Sequence, residues 1–329
     1  MGLEIKKRNL GFDCLRLVCA FCVVCIHVPY SFKYLVEPWT RFAVPVFFML
    51  SGFFSEGQSN PRRQIRRILI LCIGANVLHL LFQLVLNAAT GQSSALLLQD
   101  LRNPLLWIAF LLLNTSPIST PLWYLGALLY VLVLINLLDR GPGRKHLYPF
   151  IPVLLALNLI LGTYATLIFG KILPVSFSRN FLFMGLPFFL LGDLLAHRKT
   201  IPGKHMLILV LAAGILLSFV ENYLLYKGFS LLYRDLYLGS ILMSYALFRL
   251  VQIHPDPTYT PQLRTLALWG RKYSLPIYIL HPMVLLSCRV LCTHSPLMNR
   301  VYPTAAPLIV FPISLALSVF LSKIPGKNG

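Results

Sequence analysis

Apolar residues occur along the chain in long runs, and short polar or charged stretches separate one run from the next. Most runs approach the roughly 20 residues that an α-helix needs to cross a bilayer. Backbone polar groups in lipid need partners inside the segment, which favours helices. The pattern predicts ten spans, the fourth of them broken with its clearest part at 121–138. They cover residues 10–30, 38–56, 65–87, 104–138, 148–170, 180–196, 205–223, 231–250, 273–293 and 303–322.

Composition supports a membrane protein. Hydrophobic residues make up 57% of the 329 residues, and charged residues only 12%. We therefore predict an all-α, polytopic integral membrane protein that forms one domain over residues 1–329, with the lipid bilayer as its surroundings. The first span carries charges and has no small-residue cleavage pattern, so we expect it to be retained rather than removed as a signal peptide.

The net charge of +19 would suggest nucleic acid as the partner of a soluble protein. Here most lysines and arginines fall in alternate loops, which is the positive-inside pattern. It predicts that both termini are cytoplasmic and that no nucleic acid is bound. The residues assigned to the cytoplasmic side are Lys6, Lys7, Arg8, Arg62, Arg63, Arg66, Arg67, Arg140, Arg144, Lys145, Arg198, Lys199, Lys204, Arg249, Arg264, Arg271, Lys272, Lys323 and Lys327.

Seven cysteines raise the question of a metal site or a disulfide framework. Four of them, Cys14, Cys19, Cys22 and Cys25, share the first span at spacings of three or more. Small apolar residues that face a neighbouring helix have such spacings. We therefore predict no metal.

The stretch at 104–120 combines a short apolar run with several prolines and polar residues. We predict an interfacial or re-entrant segment on the outer side, packed against protein instead of lipid.

The first span contains three ionisable residues, Asp13, Arg16 and His27. Ten residues separate Arg16 from His27, so on a helix the two lie within about 20° of the same face and about 16 Å apart along the axis. Asp13 precedes Arg16 by one turn and can pair with it. Such residues inside a membrane indicate function by default, although a hydrogen-bonded core histidine and a snorkelling arginine would give the same sequence.

The first span resembles the first helix of the integral-membrane acyltransferase family 3, which is marked by an arginine, ten residues and a histidine. Arg16 and His27 occupy those positions. Further stretches similar to the family follow in order over nearly the whole chain: FAVPVFFMLSGFF (42–54), RRQIRRIL (62–69), PLWYLGALLY (121–130), FFLLGDLLA (188–196) and SLPIYILHPMVL (274–285). We expect no fused periplasmic hydrolase-like domain after the last helix.

This resemblance implies a multi-pass enzyme of the bacterial inner membrane. It would transfer an acyl group, commonly acetyl from acetyl-CoA, to a hydroxyl of a cell-surface carbohydrate or lipid-linked glycan. It also implies that Arg16 and His27 are catalytic. Independently, a neutral imidazole is a suitable general base because its pKa lies near the operating pH.

Four arginines at the start of the third span form a phosphate-seeking cluster, because guanidinium groups match phosphate oxygens. They are predicted to bind acetyl-CoA: Arg62, Arg63, Arg66 and Arg67. Arg63 and Arg66 have the Arg-x-x-Arg spacing of the family directly. The alternative is anchoring to anionic lipid.

Candidate residues for binding the acceptor lie near the outer ends of other spans. Trp123 and Tyr124 can stack on a sugar or belong to an aromatic belt. Glu221, Arg234 and Asp235 can bind hydroxyls or form an ordinary ion pair. His281, near the middle of the ninth span, is a second candidate for catalysis or a core histidine.

Two other classes of function remain open at this point. A transporter or flippase of a glycan or small polar molecule would also place charges inside the bundle, whereas a sensor or scaffold would need none of this chemistry. The sequence does not identify the acceptor, the side of the membrane on which transfer is completed or the oligomeric state, and it leaves the acyl chain open between acetyl, succinyl and longer chains.

Overall fold

We analysed a computed structural model that describes residues 9–55, 60–141, 143–198, 200–230, 234–253 and 259–323. Helices account for 83% of it, and these ranges contain no strand. The prediction of an all-α fold is confirmed. Part of the charge pattern behind the predicted topology lies outside the described residues, namely Lys6, Lys7, Arg8, Lys199 and Lys327.

Fourteen α-helices make up the described part of the chain. In order they are α1 Leu10–His27, α2 Lys33–Thr40, α3 Ala43–Phe53, α4 Pro61–Thr90, α5 Ala95–Arg102, α6 Pro104–Leu113, α7 Trp123–Leu138, α8 Ile151–Leu161, α9 Ala165–Phe169, α10 Leu186–His197, α11 Lys204–Phe229, α12 Leu238–Gln252, α13 Pro261–His294 and α14 Pro296–Lys323.

Six of the helical stretches described are long and apolar enough to cross a membrane, which makes the chain a multi-pass membrane protein. They are α1, α4, α11, α13, α14 and the segment Thr120–Leu138 that contains α7. Helices α5 and α6 meet at a bend of 67° and count as a seventh span if taken together. The other predicted spans correspond to shorter or interrupted helices.

Two predicted continuous spans are divided in the structure. The span at 38–56 becomes α2 and α3, and the span at 148–170 becomes α8 and α9. Between α8 and α9, a side chain on Gly162 would meet the carbonyl of Asn158 and the side chain of Ser178. Asn158 is buried and donates to the Ser178 carbonyl at 2.8 Å, so the irregular backbone at Ser178, which packs against this break, is satisfied inside the protein. Hydropathy alone does not register such breaks.

The segment predicted to be interfacial or re-entrant begins as α6, none of whose residues is buried. After α6 the chain turns at Asn114, whose φ of 59° is left-handed. The following residues pack against protein, since Ser116 donates to the Asn76 amide oxygen at 2.7 Å. The polar half of the segment therefore packs against protein as predicted. For the apolar half this prediction is wrong, because it forms a helix with no buried residue.

One face of the bundle collects the beginning of α1 and the ends of α3, α10 and α12. The Asn9 side chain, which caps α1, also donates to the Val251 carbonyl of α12 at 3.4 Å. Phe12 contacts Phe53 at the end of α3, with ring centroids 5.1 Å apart. We refer to this side as the start face, because α1 begins there.

Asp193 near the end of α10 pairs with a basic residue that follows α7. The carboxylate is fully buried, lies 3.4 Å from the Arg144 guanidinium and accepts from the Tyr148 hydroxyl at 2.5 Å. These contacts hold the segment after α7 against the start face.

Two close helix contacts position the interior. Helix α13 packs along α1, and a side chain on Gly270 would collide with the Asp13 backbone carbonyl. Helix α10 packs along α3 in the same way, with Gly52 against the Phe189 backbone and Gly192 against the Met49 backbone. Glycine permits this close approach of two backbones.

Candidate active site

Two histidines from different helices face each other inside the bundle. His27 is the last residue of α1, and His281 lies in the middle of α13. Their ring centroids are 5.3 Å apart, and the rings are tilted by 33°. His281 is fully buried, whereas His27 remains partly exposed. The structure therefore brings together the two histidines that were considered as catalytic candidates.

The contacts of His281 define its tautomer. Its Nδ1 lies 2.8 Å from the Tyr278 carbonyl and 3.2 Å from the Ile277 carbonyl. A carbonyl only accepts, so Nδ1 carries the hydrogen and the Nε2 of a neutral ring has a lone pair. Among the described residues, this buried Nε2 has no hydrogen-bond partner. The Nε2 of His281 is therefore available to accept a proton or a hydrogen bond, and the His27 ring lies close by.

His27 opens into a cavity of about 230 Å³ on the face opposite the start face. We refer to it as the histidine cavity. Charged and aromatic side chains surround the imidazole there. The residues that carry this chemistry are His27, Arg41, Trp123, Arg179 and Asp235.

The charges of the histidine cavity form a connected network. Arg41 contacts Glu37, which is fully buried, and lies 3.3 Å from Asp235. Arg179 lies 3.6 Å from the same Asp235 oxygen and 5.8 Å from the centroid of Trp123. Two cations and two carboxylates therefore compensate each other around the histidine.

A second, mainly apolar cavity of about 260 Å³ lies among α1, α3, α4, α7 and α13, and we refer to it as the central cavity. Its polar groups come from Arg16, Ser51, Gln64, Tyr124, Ser274 and Tyr278. Val44 lines both this cavity and the histidine cavity, so the two adjoin each other.

On the start face the central cavity adjoins a wide basic opening of about 1380 Å³, which we refer to as the vestibule. The two share Arg16, Gln64 and Ser274. The vestibule is lined by four further arginines, namely Arg63, Arg66, Arg67 and Arg271. Three adjoining cavities thus run from the arginine cluster, past Arg16, to His27.

Arg16 lies at the passage between the vestibule and the central cavity. Its Nη1 is 2.5 Å from the Asp13 carboxylate, as predicted from their spacing, and its guanidinium lies 5.5 Å from the centroid of Phe54. Asp13 is buried, and the Arg16 side chain retains 28% exposure. Arg16 is therefore held in place and still presents donors to the cavities.

The remaining predicted residues occupy different positions. Trp123 lines the histidine cavity, and its neighbour Tyr124 lines the central cavity. Arg62 is exposed and is not among the residues lining the vestibule.

Glu221 lies apart from the histidine cavity. Its carboxylate oxygens accept from the backbone N–H groups of Leu238 and Gly239, each at 3.0 Å, and from the Tyr164 hydroxyl. A carboxylate at a helix N-terminus stabilises that helix, here α12. Arg234 donates to the Gly162 carbonyl at 3.3 Å.

Sequence reasoning missed Arg41 and Arg179 in the histidine cavity and Glu37, which contacts Arg41. It also did not single out Arg271 in the vestibule. Arg41 carried a usable signal, because it interrupts the apolar run of the predicted second span. Arg179 follows a short polar segment, and nothing local distinguishes it from a surface arginine. Its place in the cavity comes from tertiary packing.

Among the described residues, no group of three or more histidine, cysteine or acidic side chains is arranged to hold a metal ion.

Among the comparisons with known proteins, one family model matches nearly the whole chain. The acyltransferase family 3 model, described as an acyltransferase domain, matches residues 9–323. Comparison with curated proteins and with solved structures gives no match.

Proposed function

Because the chain belongs to acyltransferase family 3, we propose that this membrane acyltransferase moves an acetyl group from acetyl-CoA to a hydroxyl of a cell-surface carbohydrate or lipid-linked glycan. We further propose that it acts in the bacterial inner membrane with both termini in the cytoplasm. The observation that best supports this is the series of adjoining cavities, with arginines at one end and His27 at the other.

The donor would enter through the vestibule. Coenzyme A carries several phosphate groups, and guanidinium groups bind phosphate oxygens through paired, charge-assisted hydrogen bonds. Arg63, Arg66 and Arg67 lie one helical turn apart or less at the beginning of α4, with Arg271 from α13 also lining the vestibule. Arg62, which was assigned to the same role from sequence, would contribute through its charge alone.

The thioester arm would extend from the vestibule into the central cavity. Arg16 lines both spaces and would hold a polar group of the donor at the passage. The apolar walls beyond it suit the uncharged arm, with hydroxyl groups from Ser51, Tyr124 and Tyr278 available for its amides. This arrangement would carry the acetyl group toward His27.

His27 would act as the general base. It takes the proton from the acceptor hydroxyl while that oxygen forms a bond to the acetyl carbonyl carbon. The carbon–sulfur bond then breaks, coenzyme A leaves as the thiolate, and the proton passes from His27 to that sulfur. The products are the acetyl ester and free coenzyme A.

His281 would position His27 for this task. An Nε2 lone pair on His281 can accept a hydrogen bond from one ring nitrogen of His27, either directly after a small shift or through a water molecule. The other ring nitrogen of His27 would then be unprotonated and directed toward the acceptor. A base that is oriented by a second group is a recurring arrangement in catalysis.

The acceptor would occupy the histidine cavity. The cavity's charges compensate each other, so a neutral, hydroxyl-rich molecule fits it better than a strongly charged one. Trp123 offers a ring surface for a sugar, and Asp235 can accept hydrogen bonds from hydroxyl groups. Glu221 would act indirectly, by stabilising the start of α12.

Acyl transfer can be tested with purified protein in liposomes. The liposomes receive acetyl-CoA labelled in the acetyl group, with surface polysaccharide whose natural esters have been removed by mild alkali as the acceptor. We expect acceptor-dependent release of free coenzyme A and label in the polysaccharide. A protein that carries a glycan without consuming acetyl-CoA would be a transporter or flippase, and this result would overturn the proposal.

A further inference from the structure

A separate cavity of about 440 Å³ lies near the start face, where α10 and α12 end. We refer to it as the Arg249 cavity. Leu191, Leu194, Leu195 and Tyr245 supply apolar walls, and Arg198 and Arg249 supply the charge. None of its lining residues also lines the vestibule, the central cavity or the histidine cavity.

Arg249 is among the largest fully buried side chains of the described chain, with only 2% exposure. Its Nη1 donates to the Gln252 amide oxygen at 2.7 Å, and its longer contacts reach the carbonyls of Arg198 and Thr200 at 3.5 Å. Its Nε has no partner among the described residues, and no salt bridge found there involves Arg249.

An uncompensated buried cation is unfavourable, because desolvation removes its hydration and no opposite charge replaces it. Elsewhere in this protein, the charge of the buried Arg41 is compensated by a direct contact with the carboxylate of Glu37. The Arg249 cavity is instead lined by a second cation, Arg198, which is an exposed residue. Two guanidinium groups beside an open cavity provide paired donors for the oxygens of a phosphate.

We propose that the Arg249 cavity binds the phosphodiester headgroup of an anionic phospholipid from the leaflet at the start face. Arg249 holds the phosphate from inside, Arg198 holds it from the rim, and the leucine wall contacts the acyl chains. The apolar wall and the position at the end of membrane helices favour a lipid over a free phosphate. The inference does not depend on the acyl-transfer reaction, since this cavity shares no lining residue with the three cavities assigned to that reaction.

Thermal unfolding of the purified protein in a neutral detergent tests the proposal. We expect phosphatidylglycerol to raise the melting temperature, and phosphatidylcholine or inorganic phosphate at equal concentration to leave it unchanged. Arg249→Met should lose the response to phosphatidylglycerol while remaining folded, because the substitution removes a buried charge that has no carboxylate partner among the described residues and keeps an apolar side chain of similar length. Arg140→Met is the matched control, since Arg140 is an exposed arginine at the end of α7, and it should respond as the wild type does.

A second variant keeps the test valid if Arg249→Met does not fold. Arg198→Ala changes an exposed side chain and should weaken the apparent affinity for phosphatidylglycerol about tenfold or more, the usual effect of losing one charge-assisted contact. Equal stabilisation by phosphatidylglycerol and phosphatidylcholine would overturn the proposal. So would a response of the wild type to inorganic phosphate alone, which would assign the cavity to a soluble anion, or an unchanged response in both arginine variants.

Discussion

His27 and His281 lie with their ring centroids 5.3 Å apart, although one ends the first helix and the other lies in the middle of the penultimate one. This relationship depends on the close packing of α1 along α13, which Gly270 permits by contacting the Asp13 backbone. His281 Nε2 is buried and has no hydrogen-bond partner among the described residues, and His27 lines a polar cavity. We propose that the two residues act as a base and the group that orients it.

Gly270→Ala should destabilise the protein and reduce transfer. The added methyl group would collide with the Asp13 carbonyl. Moving α1 away from α13 to relieve this collision would lower the free energy of unfolding by on the order of 1–3 kcal/mol. Gly74→Ala is the control, because a side chain at this helical position in α4 meets nothing within 4 Å. It should leave stability unchanged or raise it by about 0.5–1 kcal/mol. Melting temperatures and transfer rates check both variants, and equal behaviour of the two would contradict the packing argument.

Substitutions of His281 distinguish an orienting role from direct proton transfer. His281→Gln keeps a side-chain oxygen that accepts a hydrogen bond, whereas His281→Met keeps the approximate size and loses a strong acceptor. We expect the Gln variant to retain measurable transfer and the Met variant to be at least about tenfold slower than it, with the Michaelis constant for acetyl-CoA unchanged in both. Equal kcat values for the two variants would argue against the orienting role.

Arg63 and Arg66 should determine the affinity for the donor. Replacing both by Ala should raise the Michaelis constant for acetyl-CoA at least about tenfold, because a charge-assisted contact contributes about 1.5–3 kcal/mol. Lysine at both positions should rescue only part of the loss, since it lacks the paired donors of arginine.

Arg62→Ala is the internal control for the arginine cluster. Arg62 belongs to the same sequence cluster but is exposed and does not line the vestibule. Its removal should change the Michaelis constant by less than about threefold, within the usual range for exposed charges. If the double variant and Arg62→Ala had the same small effect, the cluster would have a topological role only.

Lys33 should make stability depend on pH. Its ammonium donates to the Ile26 carbonyl at 2.6 Å, and burial, together with the nearby positive charge of Arg41, lowers the pKa of Lys33 to about 8. Between that value and the usual lysine pKa near 10.5, the unfolded chain binds more protons than the folded chain. The contribution of Lys33 to stability therefore rises with pH across this window.

Lys33→Met has no such titration and provides the reference. The melting temperature of the wild type, measured relative to Lys33→Met, should increase as the pH rises from about 7.5 to about 9.5. Parallel curves for the two proteins over this range would show that the Lys33 pKa is not lowered.

Sequence patterns predicted the helical class and the features that depend on one helix. The Asp13–Arg16 contact follows from a spacing of one turn, and the shared face of Arg16 and His27 follows from helical periodicity. The arginine cluster at the start of α4 is equally evident from the sequence. Such features are local, so the chain itself fixes which residues are neighbours.

Features that depend on packing between distant segments could not be predicted from the sequence in this way. Glu37, Arg41 and Arg179 meet around Asp235 because α2, the segment before α10 and the segment before α12 converge. The break between α8 and α9 lies at Gly162, which packs against the Ser178 side chain, a tertiary contact that hydropathy does not detect. Glu221 has the polarity expected of a ligand-binding residue, but its position at the start of α12 is visible only in three dimensions.

The most direct test of the account is the transfer rate of His27→Gln in liposomes, measured as acceptor-dependent release of coenzyme A at saturating acetyl-CoA. Glutamine keeps a hydrogen-bonding side chain of similar size but cannot take the proton, so the rate should fall about 10²–10⁴-fold. The melting temperature and the Michaelis constant for acetyl-CoA should stay near the wild-type values, which would show that folding and donor binding are intact. A folded His27→Gln protein that transfers acetyl groups at the wild-type rate would contradict the assignment of His27 as the general base.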